Sequence, residues 1–145
     1  MNIHVISRCY GLRPRKRRLA DRIRSRMRAA LKPSSRIKES SSERLIGCSF
    51  EELREKIESQ WEAGMNWENY GKEGWHVDHI IPCSAYDLSD ETEQKRCFNH
   101  QNLRPLWASK NIIKHDNFDE EELMLVPREL WPASLQELYI NEPEE

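Results

Sequence analysis

Two short stretches with a β-strand pattern limit what this chain can fold into. Residues 75–81 and 103–107 read as strands, and residues 108–115, directly after the second stretch, read as a short helix. Pro82 ends the first stretch, and Pro105, which has no amide N–H, requires a free edge on the second. Because the other periodic segments of the chain are helical, the sequence predicts an α+β fold.

Two helical patterns precede the strands. Apolar residues recur at every fourth position between residues 15 and 31, which predicts a helix that Pro33 ends. These residues are Leu19, Ile23, Met27 and Leu31. Ser49 and Glu52 have the spacing of a capping box, so a second helix is expected to begin at Ser49. Residues 34–42 are polar and serine-rich, which is typical of a linker or loop.

Charged residues are unevenly distributed along the chain of 145 residues. Residues 1–50 contain 14 Lys and Arg against 3 Asp and Glu, whereas the remaining residues contain 9 against 22. Such a basic segment suits a polyanion, although a merely solvated basic helix explains the charge as well. We predict a basic helical N-terminal arm (1–44), a central domain (45–117) and an acidic C-terminal extension (118–145). The candidate polyanion contacts are Arg15, Lys16, Arg17, Arg18, Arg22, Arg24, Arg26 and Arg28.

Hydropathy and cysteine content argue against several classes of protein. No apolar run approaches the roughly 20 residues that span a membrane, and residues 1–18 lack the apolar stretch of a secretory signal. We therefore expect a cytoplasmic protein with no membrane partner. The four cysteines, at positions 9, 48, 83 and 97, include no Cys-x-x-Cys pair. We expect no structural zinc and no disulfide framework, but free thiols in or near the core.

The residues suited to catalysis are concentrated between positions 76 and 114. They are His76, Asp78, His79, Asn102, Asn111 and Lys114. Hydrolysis of a phosphodiester requires a base for water and positive charge beside the phosphate. Histidine accepts a proton near neutral pH, and carboxylate or amide oxygens suit a hard cation such as Mg²⁺. Neighbours on a strand face opposite sides, so Asp78 and His79 serve one site only if the strand bends or ends there.

This segment resembles a known family. The sequence DHIIP at 78–82, followed by N-L-x-P-L at 102–106 and N-x-x-K at 111–114, is similar to the signature of HNH endonucleases. Over about residues 45–117 the chain is similar to phage-associated HNH proteins, including the flanking Gly-Met-x-Trp and Asp-Leu-Ser segments. The resemblance implies a ββα-metal (His-Me finger) core, in which a hairpin and a helix clasp one divalent ion. It makes residues 45–117 an HNH nuclease domain.

The resemblance also implies a role for each motif residue. Asp78 and Asn111 would be the metal ligands, and His79 would be the general base. Asn102 would tie the hairpin loop by hydrogen bonds and so orient the base. His76 and Lys114 are candidates for metal or phosphate contact. The last letter of the name HNH stands for a histidine, and this chain has Asn111 at that motif position. Because Asn111 supplies an oxygen ligand, we expect Mg²⁺, with Mn²⁺ as the alternative, rather than zinc.

The function expected from these features is metal-dependent hydrolysis of DNA, with sequence-independent phosphate contacts from the basic helix. Other interpretations stay open: an RNA-directed nuclease, a catalytically idle DNA-binding or phage packaging accessory protein, and a zinc-finger regulator. The intact Asp78, His79 and Asn111 argue against the idle protein, and the missing cysteine pairs argue against the zinc finger. DNA is the expected partner, with phage packaging proteins as further candidates. A phage-encoded chain would act in the cytoplasm of a bacterial host.

Overall fold

The first helix packs the basic segment against the core. The computed structural model describes residues 15–31, 39–71 and 73–140. Helix α1 spans Arg15–Ala30, as the spacing of its apolar residues predicts. The whole apolar stripe is buried, so the described basic side chains of α1 lie on its other faces. Residues 1–14 and 32–38 of the predicted basic arm lie outside the described residues.

Two further helices precede the sheet. Helix α2 spans Glu39–Ile46, so the prediction of a linker was wrong for residues 39–42, and residues 34–38 lie outside the described part. Leu45 and Ile46 are buried, and this apolar anchor holds a serine-rich segment in a helix despite its weak intrinsic preference. Helix α3 spans Phe50–Ser59, and the capping box of Ser49 and Glu52 is present in both directions.

The two predicted strands form an antiparallel pair. Strand β1 spans Trp75–His79 and strand β2 spans Leu103–Trp107, with Trp75 opposite Trp107 and His79 opposite Leu103. Helix α5 spans Ala108–Lys114 and packs on both strands, while α4, which spans Glu91–Phe98, lies between the strands in sequence. The described residues thus form an α+β fold with a two-stranded sheet.

Pro105 occupies a position in the pair where its missing N–H is tolerated. It lies opposite Val77, and the Val77 carbonyl accepts a hydrogen bond from the Arg26 guanidinium of α1. The prediction that β2 has a free edge agrees with the two-stranded sheet. Arg26 therefore joins α1 to the middle of β1.

The described part of the acidic C-terminal segment, up to Ile140, packs on the core, and residues 141–145 lie outside the described residues. Helix α6 spans Glu120–Met124 and helix α7 spans Ala133–Ile140. Leu123, Val126 and Trp131 are buried, and the Tyr86 hydroxyl donates to the Leu130 carbonyl at 2.8 Å. Leu138, by contrast, is exposed. Within the described residues, no helix combines the length and the hydropathy needed to cross a membrane.

An aromatic cluster fixes the start of β1. The Tyr70 and Trp75 rings stack with centroids 4.4 Å apart, and Trp67 meets Trp75 edge-on at 5.2 Å. Trp61 completes the cluster at 5.8 Å from Trp75. Aromatic pairs in these geometries contribute beyond the area that they bury. The strand that carries His76, Asp78 and His79 therefore begins at a rigid point.

Gly74, immediately before β1, has no room for a side chain. Its carbonyl accepts a hydrogen bond from the Ala108 amide at 2.8 Å, which joins the start of β1 to the start of α5. A β-carbon at Gly74 would lie 1.5 Å from the Asn69 carbonyl oxygen. The Trp75 amide donates to that same oxygen at 3.3 Å, so the turn cannot move away without breaking this bond.

Replacing Gly74 with Ala is expected to lower the free energy of unfolding by about 3 kcal/mol or more, because the added carbon overlaps backbone. Gly64→Ala is the matched control. Gly64 has φ of +92°, but the nearest atom to an added β-carbon is 3.7 Å away, so only the backbone penalty of about 1–2 kcal/mol is expected. Urea unfolding followed by tryptophan fluorescence measures both losses. Equal losses would contradict the argument.

Candidate functional site

The side chains of β1 divide between the core and helix α5. Trp75 and Val77 are buried in the core, whereas His76 and Asp78 share the other face and meet α5. His76 Nδ1 lies 3.3 Å from Asn111 Nδ2, and Asp78 Oδ2 lies 3.2 Å from Lys114 Nζ. Asn111 and Lys114 are three positions apart on α5, so the predicted shared helix face is confirmed.

Asp78 is a buried carboxylate between two cations. Its Oδ2 atom accepts from Arg104 Nε and from Lys114 Nζ, both at 3.2 Å. Arg104 is directly opposite Asp78 in the strand register and also pairs with Glu122 of α6. Among the described residues, no hydrogen-bond partner contacts Asp78 Oδ1. One carboxylate oxygen is thus neutralised, and the other is open to a further ligand.

Lys114 holds the end of β1. Besides Asp78, its ammonium donates to the carbonyls of His79 at 2.7 Å and Ile80 at 2.9 Å. An ammonium has three N–H donors, and these three acceptors use all of them. The structure therefore places Lys114 at the strand end, where it supports the site, and leaves it no donor for phosphate.

His79 lies where the strand ends, which satisfies the geometric requirement predicted from the sequence. Its side chain is 5% exposed and meets the Phe98 ring edge-on, with centroids 5.1 Å apart. Asp78 and His79 nevertheless line the same cavity of about 280 Å³, here called the site cavity, together with Asn111. The other residues that line it are Arg26, Pro82, Cys83, His115 and Asp116.

Asn102 ties the loop after β1 to the segment before β2. Its side chain is fully buried: Oδ1 accepts from the Ile81 amide at 2.8 Å, and Nδ2 donates to the carbonyls of Ile81 at 3.0 Å and Cys97 at 2.9 Å. The Asn102 carbonyl also accepts from the Ile80 amide at 2.9 Å. The loop-tying hydrogen bonds expected of this residue are present, and their effect on a base at His79 stays a prediction.

A second cavity connects the site to helix α1. It encloses about 400 Å³, and we call it the arginine cavity. It shares Arg26 and Asn111 with the site cavity. Its remaining lining residues are Arg22, Ser25, Tyr70, His76 and Val77. Arg22 also lies over the Tyr70 ring, 4.6 Å from the centroid. Arg26 therefore lines both cavities, and Arg22 lines the arginine cavity together with His76 and Asn111.

The other predicted basic contacts lie elsewhere. Arg24 stacks over the Phe50 ring at 4.7 Å and is 4.0 Å from Asp21, and Arg28 is exposed. The side chains of Arg15, Lys16, Arg17 and Arg18 lie outside the part of the structure that is described. Of the basic residues proposed from the sequence, the structure thus brings Arg26 to the site cavity and Arg22 to the adjoining arginine cavity.

A thiol pair that the sequence pattern did not predict lies beside His79. Cys97 Sγ donates to Cys83 Sγ across 3.5 Å, and both sulfurs and a nitrogen of His79 lie within 4.8 Å of one another. That hydrogen bond lowers the pKa of the Cys83 thiol, against the opposing effect of burial, and together with burial it raises the pKa of Cys97. The expectation of no zinc site rested on ligands close in sequence, whereas Cys83 and Cys97 meet only through the fold.

A larger hollow of about 600 Å³ lies along a different face of α5, but the basic side chains that line it are already paired. Arg104 pairs with Glu122, Lys110 with Glu62, and Lys114 with Asp78. Its rim also carries the exposed Ile113. We place the candidate site in the smaller site cavity, where a histidine, an amide and a carboxylate converge.

Comparison with known proteins gives relatives without an assigned activity. "Uncharacterized protein L426" of Acanthamoeba polyphaga mimivirus is 42% identical over 78 residues, which are 54% of this chain and 34% of that protein. "Uncharacterized protein L246" of the same virus is 39% identical over 83 residues, which are 57% of this chain and 36% of that protein. The chain therefore spans about a third of the length of these relatives. No family model and no solved structure matches.

Replacing Lys114 with Met, which keeps most of the aliphatic stem, should lower the free energy of unfolding by about 2–4 kcal/mol, since Asp78 and two buried carbonyls lose a charged partner. Lys110→Met is the matched control on the same helix. Lys110 pairs with Glu62, but their side chains are 57% and 47% exposed, so a loss below about 0.5 kcal/mol is expected. Chemical unfolding of the two variants measures the difference. A larger loss for Lys110→Met would reject the assigned role.

Proposed function

We propose that this protein is a metal-dependent nuclease that hydrolyses DNA phosphodiester bonds in the site cavity, on a core of the ββα-metal type. The observation that carries the proposal is the convergence of Asp78, His79 and Asn111 on one cavity from a strand end and a facing helix. The order of elements, β1, β2 and then α5 packed on both strands, agrees with a hairpin and a helix around one cation.

The donor atoms fit a hard divalent cation such as Mg²⁺. Asp78 Oδ1 has no partner among the described residues, and Asn111 directs Nδ2 to His76, which leaves its Oδ1 for another contact. Two protein oxygens leave the rest of the coordination shell for water and phosphate, as Mg²⁺ prefers. When bound there, the cation would supply positive charge to the phosphate and to the leaving oxygen. Asp78 and Asn111 would hold it.

His79 is the residue we assign as the general base. It lines the site cavity and is held at the strand end by its neighbours, because Lys114 binds its carbonyl and Phe98 packs against its ring. A neutral imidazole accepts a proton from water at neutral pH. Asn102 holds the loop that follows and is therefore a positioning residue. His76 contacts Asn111 and orients its amide.

The arginines of α1 supply the contact with the nucleic acid backbone. Arg22 and Arg26 are four residues apart on one face of α1, and both line the arginine cavity, which adjoins the site cavity at Arg26 and Asn111. One guanidinium group can bind two phosphate oxygens at once. These side chains therefore suit a nucleic acid strand that crosses both cavities. Contacts of this kind bind DNA without reading its sequence.

The second candidate function is a DNA-binding accessory protein without catalytic activity. The ion pairs of Asp78 favour it, because Arg104 and Lys114 already supply two positive charges where the cation would bind. The two functions share the arginine contacts and differ only in whether Mg²⁺ binds and the strand is cut.

A plasmid-nicking assay with Mg²⁺ tests the proposal. We expect nicking that a chelator abolishes, and we expect His79→Ala to lose about 100-fold or more in rate because the general base is gone. His100→Ala, a histidine in the turn before β2 and outside the site cavity, is the matched control and should retain the wild-type rate within about twofold.

Circular dichroism and thermal unfolding must first show that His79→Ala is folded, and His79→Asn repeats the test with a polar side chain if it is not. A single-stranded RNA substrate in parallel distinguishes an RNA-directed nuclease. DNA binding with no nicking in any metal would support the accessory protein instead, and full activity in both folded His79 variants would reject the assigned base.

The arginine contacts predict a change in salt dependence. Arg22→Gln should weaken binding to duplex DNA and reduce the slope of log K against log salt by about 0.9, the value for one phosphate contact. Lys95→Gln, which removes one positive charge from α4 beside Glu91, is the matched control and should leave the slope unchanged. Fluorescence anisotropy over a range of salt concentrations measures both. An unchanged slope in Arg22→Gln would remove this residue from the interface.

A further inference from the structure

We propose that His79, Cys83 and Cys97 form a second cation site, which takes a soft divalent ion such as Zn²⁺ and withdraws His79 from the site cavity's chemistry. The three side chains come from the end of β1, the turn after it and the last part of α4. Binding of the cation depends on these three residues alone. Its consequence for catalysis rests on the proposed function.

The distances are close to those of a tetrahedral site. Two thiolates bound to Zn²⁺ at about 2.3 Å with a tetrahedral angle lie about 3.8 Å apart. Cys83 Sγ and Cys97 Sγ are 3.5 Å apart, and a His79 nitrogen lies within 4.8 Å of both. Movements of a few tenths of an ångström to about one ångström would bring all three atoms to bonding distance. Three protein ligands leave a fourth position for water.

An orphaned nitrogen gives independent support. His79 is only 5% exposed, and among the described residues no hydrogen-bond partner contacts its buried Nε2 atom. A buried polar atom without a partner is costly, and a native protein normally satisfies it. A cation held jointly with the two sulfurs would satisfy an imidazole nitrogen in this position.

The charges of the site balance. Two thiolates and a neutral imidazole neutralise a divalent cation, so the buried complex carries no net charge. Binding releases the thiol protons to solvent, including the one that Cys97 shares with Cys83 in the empty pair. Sulfur ligands select Zn²⁺ over Mg²⁺, so this site and the oxygen site of Asp78 and Asn111 would take different ions.

Occupation of this site would inhibit the nuclease. A neutral imidazole has one free nitrogen lone pair, so a His79 ring bound to the ion could not take a proton from water. Micromolar Zn²⁺ is therefore expected to suppress nicking in the presence of excess Mg²⁺. Zinc that merely replaced Mg²⁺ at Asp78 and Asn111 would not depend on the cysteines.

Cobalt binding to the full chain tests the site without reference to activity. Titration of the reduced protein with Co²⁺ should produce sulfur-to-cobalt charge-transfer absorption in the near ultraviolet and tetrahedral bands in the visible, and one equivalent of Zn²⁺ should remove both. Cys83→Ser and His79→Ala should weaken Co²⁺ binding about 10-fold or more. Cys48→Ser, a half-buried thiol beside α3, is the matched control and should bind as wild type.

Because Cys97 is buried in the core, the second test uses the unmodified chain rather than a Cys97 variant. Zn²⁺ should protect Cys83 from alkylation by iodoacetamide while Cys48 is labelled at the same rate with and without the ion. Absence of the charge-transfer band, or an unchanged affinity for Co²⁺ in folded Cys83→Ser, would overturn the site. So would labelling of Cys83 that Zn²⁺ does not slow.

Nicking assays separate failure of this inference from failure of the proposed function. Zn²⁺ should lower the nicking rate of the wild type and of Cys48→Ser by about 10-fold or more, whereas Cys83→Ser should keep its own zinc-free rate within about twofold. Inhibition of equal size in Cys83→Ser would contradict the inhibitory role. A chain that binds Co²⁺ through its thiols but never nicks DNA would confirm the cation site and reject the nuclease.

Discussion

The rest of the site depends on how the backbone at the end of β1 is held after its last pair with β2. Past His79 the chain leaves the sheet while still buried, and its polar groups need partners there. The Asn102 side chain and carbonyl satisfy Ile80 and Ile81 from one side, and the Lys114 ammonium satisfies the carbonyls of His79 and Ile80 from the other. These two residues fix where Asp78 and His79 lie.

The same arrangement sets competing demands on Asp78 and His79. Asp78 stabilises the fold through Arg104 and Lys114, and it must still offer an oxygen to a cation if the chain is a nuclease. His79 lines the site cavity, and one of its ring nitrogens also lies within 4.8 Å of the sulfurs of Cys83 and Cys97. The described residues form one short sheet, so the proposed chemical roles fall on residues that also stabilise the fold.

Much of the fold could be predicted from local patterns. These patterns predicted α1, the start of α3, the two strands and the helix after β2, and the structure contains each of these elements. Strand β1 ends at His79, two residues before its predicted end. The helix over Glu39–Ile46 was missed, because its stability comes from burial of Leu45 and Ile46 rather than from its serines. Asp78 lies opposite Arg104 because of the register of β1 and β2. The sequence alone does not give that register.

The sequence by itself determined which residue types are available for chemistry and which of them share a strand or helix face, because periodicity within one element is a local property. The tertiary structure decided which of them meet. It brought Arg22 and Arg26 to the cavities and placed Arg24 on Phe50. It used all three donors of Lys114 and placed two distant cysteines beside His79. Contacts between elements depend on packing angles and burial across the whole core, which no short stretch of sequence specifies.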